Sequence, residues 1–402
     1  MKKFMISFYC LILLMATSAC QTSKGRANYE KIDSDLGAYL QTVTLPKNLT
    51  IGFNPSEVKK VQSAKTYIAS ILKFDENRVI ENLLQTDIIA TNNYAEGPWY
   101  EAGDDELREY LSVYDGGRSL GMNSGVQGGI SYSAVKDGIH LGSKLSILVG
   151  NAPGPPDNNA QEYGFNLKSD YGSFKNLSFK DYDDVLSELK EILSAVGFPE
   201  FTVGETYSLD LQTMLEHRAV YQEAITDFNN EDESEEYTWS KDDEAYLFFF
   251  QQVIDDIPLS NIYWQRPNQS ALPEEVGATS IEVFYSKDGI RNIIAKDLLD
   301  VKKSVEEKTL ISTVDALKKL IDSYSEILLE NKTTVFSMEL CYVAILKSES
   351  SFELVPAWIF GIAETSSWKD QRKGKDISLE SYSYYVLNAI SGERIEKASD
   401  IQ

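Results

Sequence analysis

The chain has 402 residues, 43% of them hydrophobic, with 62 acidic side chains against 38 basic ones and a net charge of −24. That length exceeds the roughly 250–300 residues at which a single core stops growing, so two domains are expected, and the apolar content is ample to fill them. The acidity excludes a nucleic-acid partner and argues against direct docking on anionic lipid head groups, since both require clustered positive charge.

In chain order, Lys2 and Lys3 precede an apolar run from Phe4 to Met15 that only Ser7 interrupts, and Ala16, Thr17, Ser18 and Ala19 then lead to Cys20. The run is too short to span a bilayer, which takes about 20 apolar residues, and reads as the core of a signal peptide. The pattern resembles the bacterial lipoprotein signal, in which the cysteine takes a diacylglyceryl group and becomes the mature N-terminus. Thr17 stands where that signal usually carries an aliphatic residue. The small residues would also suit a general signal peptidase cutting after Ala19; the position of the cysteine favours lipidation of Cys20. The expected division is residues 1–19 as signal, 20–31 as a polar tether, 32–174 as one α+β domain and 175–402 as a second. Losing residues 1–19 leaves 383 residues at a net charge of −26.

Pro55 and Ser56 are read as opening an amphipathic helix to about Lys73, with Val58, Val61, Ala64, Ile68, Ile71 and Leu72 at helical spacing. Strands are predicted at Asp87–Ala90, Glu109–Tyr114, Gly129–Val135 and Leu145–Val149, with the turn Asp115-Gly116-Gly117 among them and a long loop over 150–159. A second helix carries Val185, Leu186, Leu189, Ile192, Leu193 and Val196 on one stripe, has Asp181, Asp183 and Asp184 at its start, and stops at Gly197 and Pro199. Residues 231–236 form an acidic run expected on a surface loop. Glu244–Val253, Thr279–Tyr285 and Ile290–Ala295 read as strands, the last two joined through Lys287-Asp288-Gly289. Ser312 is placed to cap a helix bearing Ala316, Leu317, Leu320, Ile321, Tyr324 and Leu328. Strands follow at Val335–Leu346, Glu353–Ile362 and Tyr382–Ile390, with Phe336, Met338, Leu340, Tyr342 and Ala344 alternating with Ser337, Glu339 and Cys341. Helices and antiparallel strands that are segregated rather than alternating predict an α+β fold of amphipathic helices on antiparallel sheets.

The C-terminal stretch, Leu354-Val355-Pro356-Ala357-Trp358 and Tyr385 to Ile395 through Ser391-Gly392, resembles the ending of YycI/YycH-type extracytoplasmic regulatory domains and of PepSY-like modules. The resemblance covers about residues 301–402, and other stretches are similar to large clostridial-type lipoproteins of unknown function. It implies a non-catalytic role in binding or restraining an envelope protein. It assigns structural parts to Pro356 and Trp358, where a strand would begin or bulge, and to Gly392, which would turn a hairpin. It carries over no catalytic residue.

Removal of Cys10 and lipidation of Cys20 would leave Cys341 alone, so no disulfide forms within the mature chain. His140 and His217 lie far apart, without metal-ligand spacing or a nucleophile motif around them, so no catalytic residue, metal or cofactor is assigned. Tyr263 and Trp264, framed by Pro258 and Pro267, are the candidate ligand-binding residues. The expected function is that of a binding or regulatory lipoprotein, membrane-anchored through Cys20 on the extracytoplasmic face and contacting an envelope protein. The alternative is a lipoprotein that captures peptide, glycan or cation, with an envelope hydrolase last.

Overall fold

The structure, a computed structural model, describes residues 35–84, 88, 90–96, 108–114, 117–123, 129–136, 139–140, 171–216, 239–261, 279–348, 351–369 and 376–396. The fold is α+β: helices pack on two sheets, one of six strands and one of ten. The first comprises β1 (Leu49–Ile51), β14 (Lys332–Ser348), β15 (Ser351–Lys369), β2 (Ser63–Ile71) and β13 (Leu299–Thr309) in that order, with β16 (Asp376–Asn388) also on β15. The second runs β10 (Ile257–Pro258), β9 (Ala245–Ile254), β11 (Ser280–Ser286), β12 (Gly289–Lys296), β6 (Gly129–Lys136), β5 (Arg118–Asn123), β4 (Arg108–Tyr114) and β3 (Ala90–Glu96), with β8 (Phe201–Leu209) on β9 and β7 (Ile139–His140) on β6. The chain thus leaves the six-stranded sheet after β2 and returns to it at β13, so sheet membership does not follow one cut between residues 174 and 175.

The helix expected over 55–73 is absent. A short 3₁₀ turn, Pro55–Glu57, is capped by the Asn54 side chain, and β2 follows. The cause is the position of β2, which pairs with both β13 and β15. A central strand covered on both faces carries apolar residues on successive positions, and a subset of them falls at helical spacing by coincidence. Of the strand expected at Asp87–Ala90, Asp87 and Ile89 lie outside the described residues, and β3 runs over Ala90–Glu96. The predictions at Leu145–Val149, 150–159 and 231–236 lie outside the described residues.

Helix α1 (Leu36–Thr42) and helix α4 (Thr313–Ser325) cover one face of the six-stranded sheet, burying Leu36, Ala316, Leu317, Leu320 and Trp358. The Ser312 side chain accepts from the Asp315 backbone N–H at 3.0 Å, the expected cap. The helix ends before Leu328, which is 86% exposed instead of joining the stripe. Helix α2 (Glu76–Leu83) touches helix α3 (Tyr182–Val196), which covers the ten-stranded sheet through Val185, Leu189, Leu193 and Val196 and stops at Gly197, φ 108°.

The alternation read in β14 is shifted by an irregularity between Val335 and Ser337. Met338, Leu340 and Tyr342 face α4, and Cys341, Val343 and Ile345 are also buried, in a separate cluster with Val355, Ala357 and Ile359. Cys341 is therefore interior, and burial raises its thiol pKa. Pro356 and Trp358 lie in mid-strand, opposite Tyr342 and Leu340, rather than at a beginning or a bulge. Pro356 marks a fork: one edge of β15 pairs with β2 over Phe352–Leu354 and with β16 from Ala357 onward. The Pro356 carbonyl accepts from Ala389 N–H at 2.8 Å, so its nitrogen faces the same edge, between the two partner strands, where a ring costs no ladder bond.

The sheets meet at the β9–β10 turn. Asp255 and Asp256 both have positive φ, 47° and 62°, an uncommon backbone for residues other than glycine. The Asp255 carboxylate accepts from Lys65 Nζ at 2.9 Å and from the Tyr67 hydroxyl, and Lys59 Nζ donates to the Asp256 carbonyl at 2.5 Å. Ser260 N–H donates to the Tyr342 carbonyl at 2.8 Å, and the Gln252 amide exchanges two hydrogen bonds with the Leu299 backbone, at 2.7 and 3.0 Å. No described helix is long and apolar enough to cross a membrane.

Candidate functional site

Cys20, Tyr263, Trp264 and His217 lie outside the described residues. His140 is in β7, paired with Val135 of β6. Asp183 and Asp184 sit in the first turn of α3, where carboxylates complement the helix dipole. Among the described residues no group of three His, Cys, Asp or Glu side chains is placed to hold a metal ion.

A surface that sequence reading did not single out lies on the six-stranded sheet, on the side away from α4. Strand β16 alternates its faces: Tyr385 and Leu387 belong to the α4 core, and Tyr384 and Val386 to the opposite cluster. Glu380 and Tyr382 share the parity of Tyr384 and so lie on that second face. The Tyr382 hydroxyl donates to Glu380 Oε2 at 2.6 Å, and Thr365, directly across on β15, reaches Glu380 Oε1 at 3.5 Å. Phe336 meets the Tyr382 ring edge-on, centroids 5.9 Å apart. It can do so because Gly361 lies between the strands: a Cβ there would come within 2.4 Å of Phe336 Cζ.

Carboxylates set the electrostatics of this face. Burial, then the charges of Glu339 and Glu205, push the Tyr384 pKa up to about 12. Burial and the hydrogen bond to Glu380 raise that of Tyr382 as well. Both hydroxyls therefore stay protonated at any physiological pH and serve as donors. Glu339 is exposed, and Phe336, Tyr382 and Tyr384 are half-buried. Aromatic rims beside carboxylates suit lysine and arginine side chains, which ion-pair with the acids and lie over the rings at about 0.5–2 kcal/mol per contact. The sequence signal was present in the Glu-x-Tyr-x-Tyr spacing of Glu380, Tyr382 and Tyr384; the partners from β14 and β15 depend on register and on the Val335–Ser337 irregularity.

The other polar clusters bind the fold to itself. Tyr285 donates to Glu188 Oε1 at 2.9 Å, and Lys180 contacts Glu188, tying α3 to the ten-stranded sheet. Glu244 accepts from Leu211 N–H and from the Ser178 hydroxyl, each at 3.2 Å.

No family model and no curated protein matches this sequence. Among solved structures, the chain is similar to an uncharacterized protein from Eubacterium rectale, with 14% identity over 92% of this chain and 97% of that one and a TM-score of 0.61. The likeness is one of fold. It is also matched to the C-terminal domain of YpeB from Bacillus megaterium, with 13% identity over 80% of this chain and 93% of that one; the TM-score of 0.30 is too low to carry an argument.

Proposed function

We propose that this chain is a lipid-anchored extracytoplasmic protein that binds another protein at the cell envelope, in a regulatory rather than catalytic role. The observation that carries the binding reading is the half-exposed surface of Phe336, Glu339, Glu380, Tyr382 and Tyr384, with hydroxyl donors and carboxylates on one sheet face. Anchoring rests on Lys2-Lys3, the Phe4–Met15 run and Cys20. Fourteen residues separate Cys20 from Asp35, where the described fold begins, a reach of at most about 50 Å. The six-stranded unit, which takes up the chain through α1, is then the part held near the bilayer. The sequence resemblance of Leu354–Trp358 and Tyr385–Ile395 to YycI/YycH-type and PepSY-like domains supports the same class of function.

The anchoring part is tested by fatty-acid labelling of cells producing the full precursor. Wild type should label and sediment with membranes. Cys20→Ala should lose the label and much of its membrane retention, and undiminished labelling would refute the anchor.

A further inference from the structure

The six-stranded sheet has three outer strands, and they differ in how their edges are protected. β1 is only three residues long. β13 carries Lys302, Lys303 and Lys308, and its ladder to β2 is interrupted by register shifts at Val301/Lys303 and Ser304/Glu307. Short length, lysines and bulges are the usual devices that keep a sheet edge from pairing with another chain. β16 has none of them. It is 13 residues long, contains no lysine or proline, and pairs with β15 from Asp376 to Asn388 without a single shift of register.

The direction of its outer hydrogen-bonding groups is fixed by the C-terminal hook. Ile395 N–H donates to the Val386 carbonyl at 2.9 Å, and Asn388 N–H donates to the Glu393 carbonyl at 2.8 Å, so the even-numbered residues of β16 face outward. Alternation then turns the backbone groups of Ser378, Glu380 and Tyr384 outward too. The hook covers only the end of the strand. Among the described residues no strand lies along β16 before Val386.

We propose that the outer edge of β16, from Asp376 to Tyr385, takes up an extended segment of a partner protein as an added strand. The inference rests on the protein-binding reading and specifies its partner. Main-chain groups of Ser378, Glu380 and Tyr384 supply the pairing, and side chains of the incoming strand fall alternately on the two faces. Those on one face meet Glu380, Tyr382 and Tyr384, with Glu339 contributing charge nearby, and call for lysine or arginine. Those on the other meet Ser381 and Ser383, both exposed, and call for small or β-branched residues. A second copy of this chain fits poorly, because its own β16 would bring Glu380 and a net charge of −24 to an acidic edge.

The test titrates the full mature chain with a decapeptide alternating lysine and threonine. Ser378→Pro removes one outward N–H at a position where an edge strand accepts proline, and leaves every charge in place. It should weaken peptide binding by at least about tenfold without changing the melting temperature. A peptide N-methylated at alternate positions should lose as much against the wild-type chain, which keeps the test decisive even if Ser378→Pro unfolds. Equal binding by Ser378→Pro or by the methylated peptide, equal binding of a glutamate–threonine peptide, or no binding at all would overturn the edge site. So would a Ser378-dependent dimer in sedimentation. Photo-cross-linking from position 339 reports separately on protein binding: adducts there with a failed peptide titration would leave the binding reading standing and remove only the added strand.

Discussion

Gly361 decides how closely Phe336 approaches β15. A methyl group at that position would lie 2.4–2.6 Å from the Phe336 ring and from Ser337 Oγ, and overpacking of this kind costs about 1–3 kcal/mol. Gly361→Ala should therefore lower stability in chemical denaturation, and adding Phe336→Ala should restore part of the loss. Full additivity of the two changes would show that the ring does not occupy that space. Glu282 makes a separate point about charge. It lies on β11 between Phe249 and Ile294, and burial raises its pKa from 4.5 to about 6. A carboxyl whose folded pKa is raised contributes stability that is complete below about pH 4.5 and lost as pH rises through about 6. Glu282→Gln should thus be near neutral at pH 4.5 and stabilise at pH 7.5 by an amount on the order of 2 kcal/mol. Equal effects at the two pH values would place Glu282 in water. Asp255 has the opposite sign. The Tyr67 hydroxyl and then Lys65 lower its pKa, so its contribution is present at neutral pH and fades as pH falls through the folded value. With the pair half in solvent, that contribution is small.

At the level of elements, α4 gives the sharpest contrast. Leu320 is fully buried against the six-stranded sheet, and Leu→Ala in such a site costs about 2–5 kcal/mol. Leu320→Asp adds an unpaired interior charge and should unfold the unit, whereas Glu326→Ala and Leu328→Ser should barely move the melting temperature. A melt of Leu320→Asp indistinguishable from wild type would detach α4 from the sheet. A segment cut at Val301 should not fold alone, because β2 supplies the ladder beside both β13 and β15. Helix α4 was legible from its 3.6-residue stripe and Ser312, and α3 from its stripe and Gly197. The hairpin β11–β12 was legible from alternation around Lys287-Asp288-Gly289, where Gly289 takes φ 90°. The strand β2 was not, because burial on both faces erases the period of two. The strands β5, β8 and β13 were missed: β5 has only six residues, a register shift at Val203/Glu205 breaks the alternation of β8, and β13 is dominated by lysines and glutamates. Of the candidate surface, the strand bearing Tyr382 and Tyr384 could be read. Its neighbours could not, because Phe336 reaches Tyr382 only through a register shift and a glycine on a different strand.

Across the whole molecule, the two sheets are joined by a strained turn, a shared strand bridge at Leu259–Tyr342 and the Gln252–Leu299 pair. The six-stranded sheet takes up α1, and its far face carries Tyr382, Tyr384, Glu380 and Glu339. With the proposed lipid anchor, a chain of net charge −24 would be repelled by anionic head groups rather than lie flat on them. Binding that depends on carboxylates should weaken as salt rises, since the screening length falls from about 10 Å at 0.1 M to about 3 Å at 1 M. The most direct measurement places a photoactive residue at Glu339, on the far face, or at Lys318, on the exposed side of α4, in the lipidated chain in native membranes. The expected result is a discrete protein adduct from position 339 that declines with salt, and none from position 318. Adducts from position 318 alone, or from neither position, would contradict the claim that this chain binds a partner through that face.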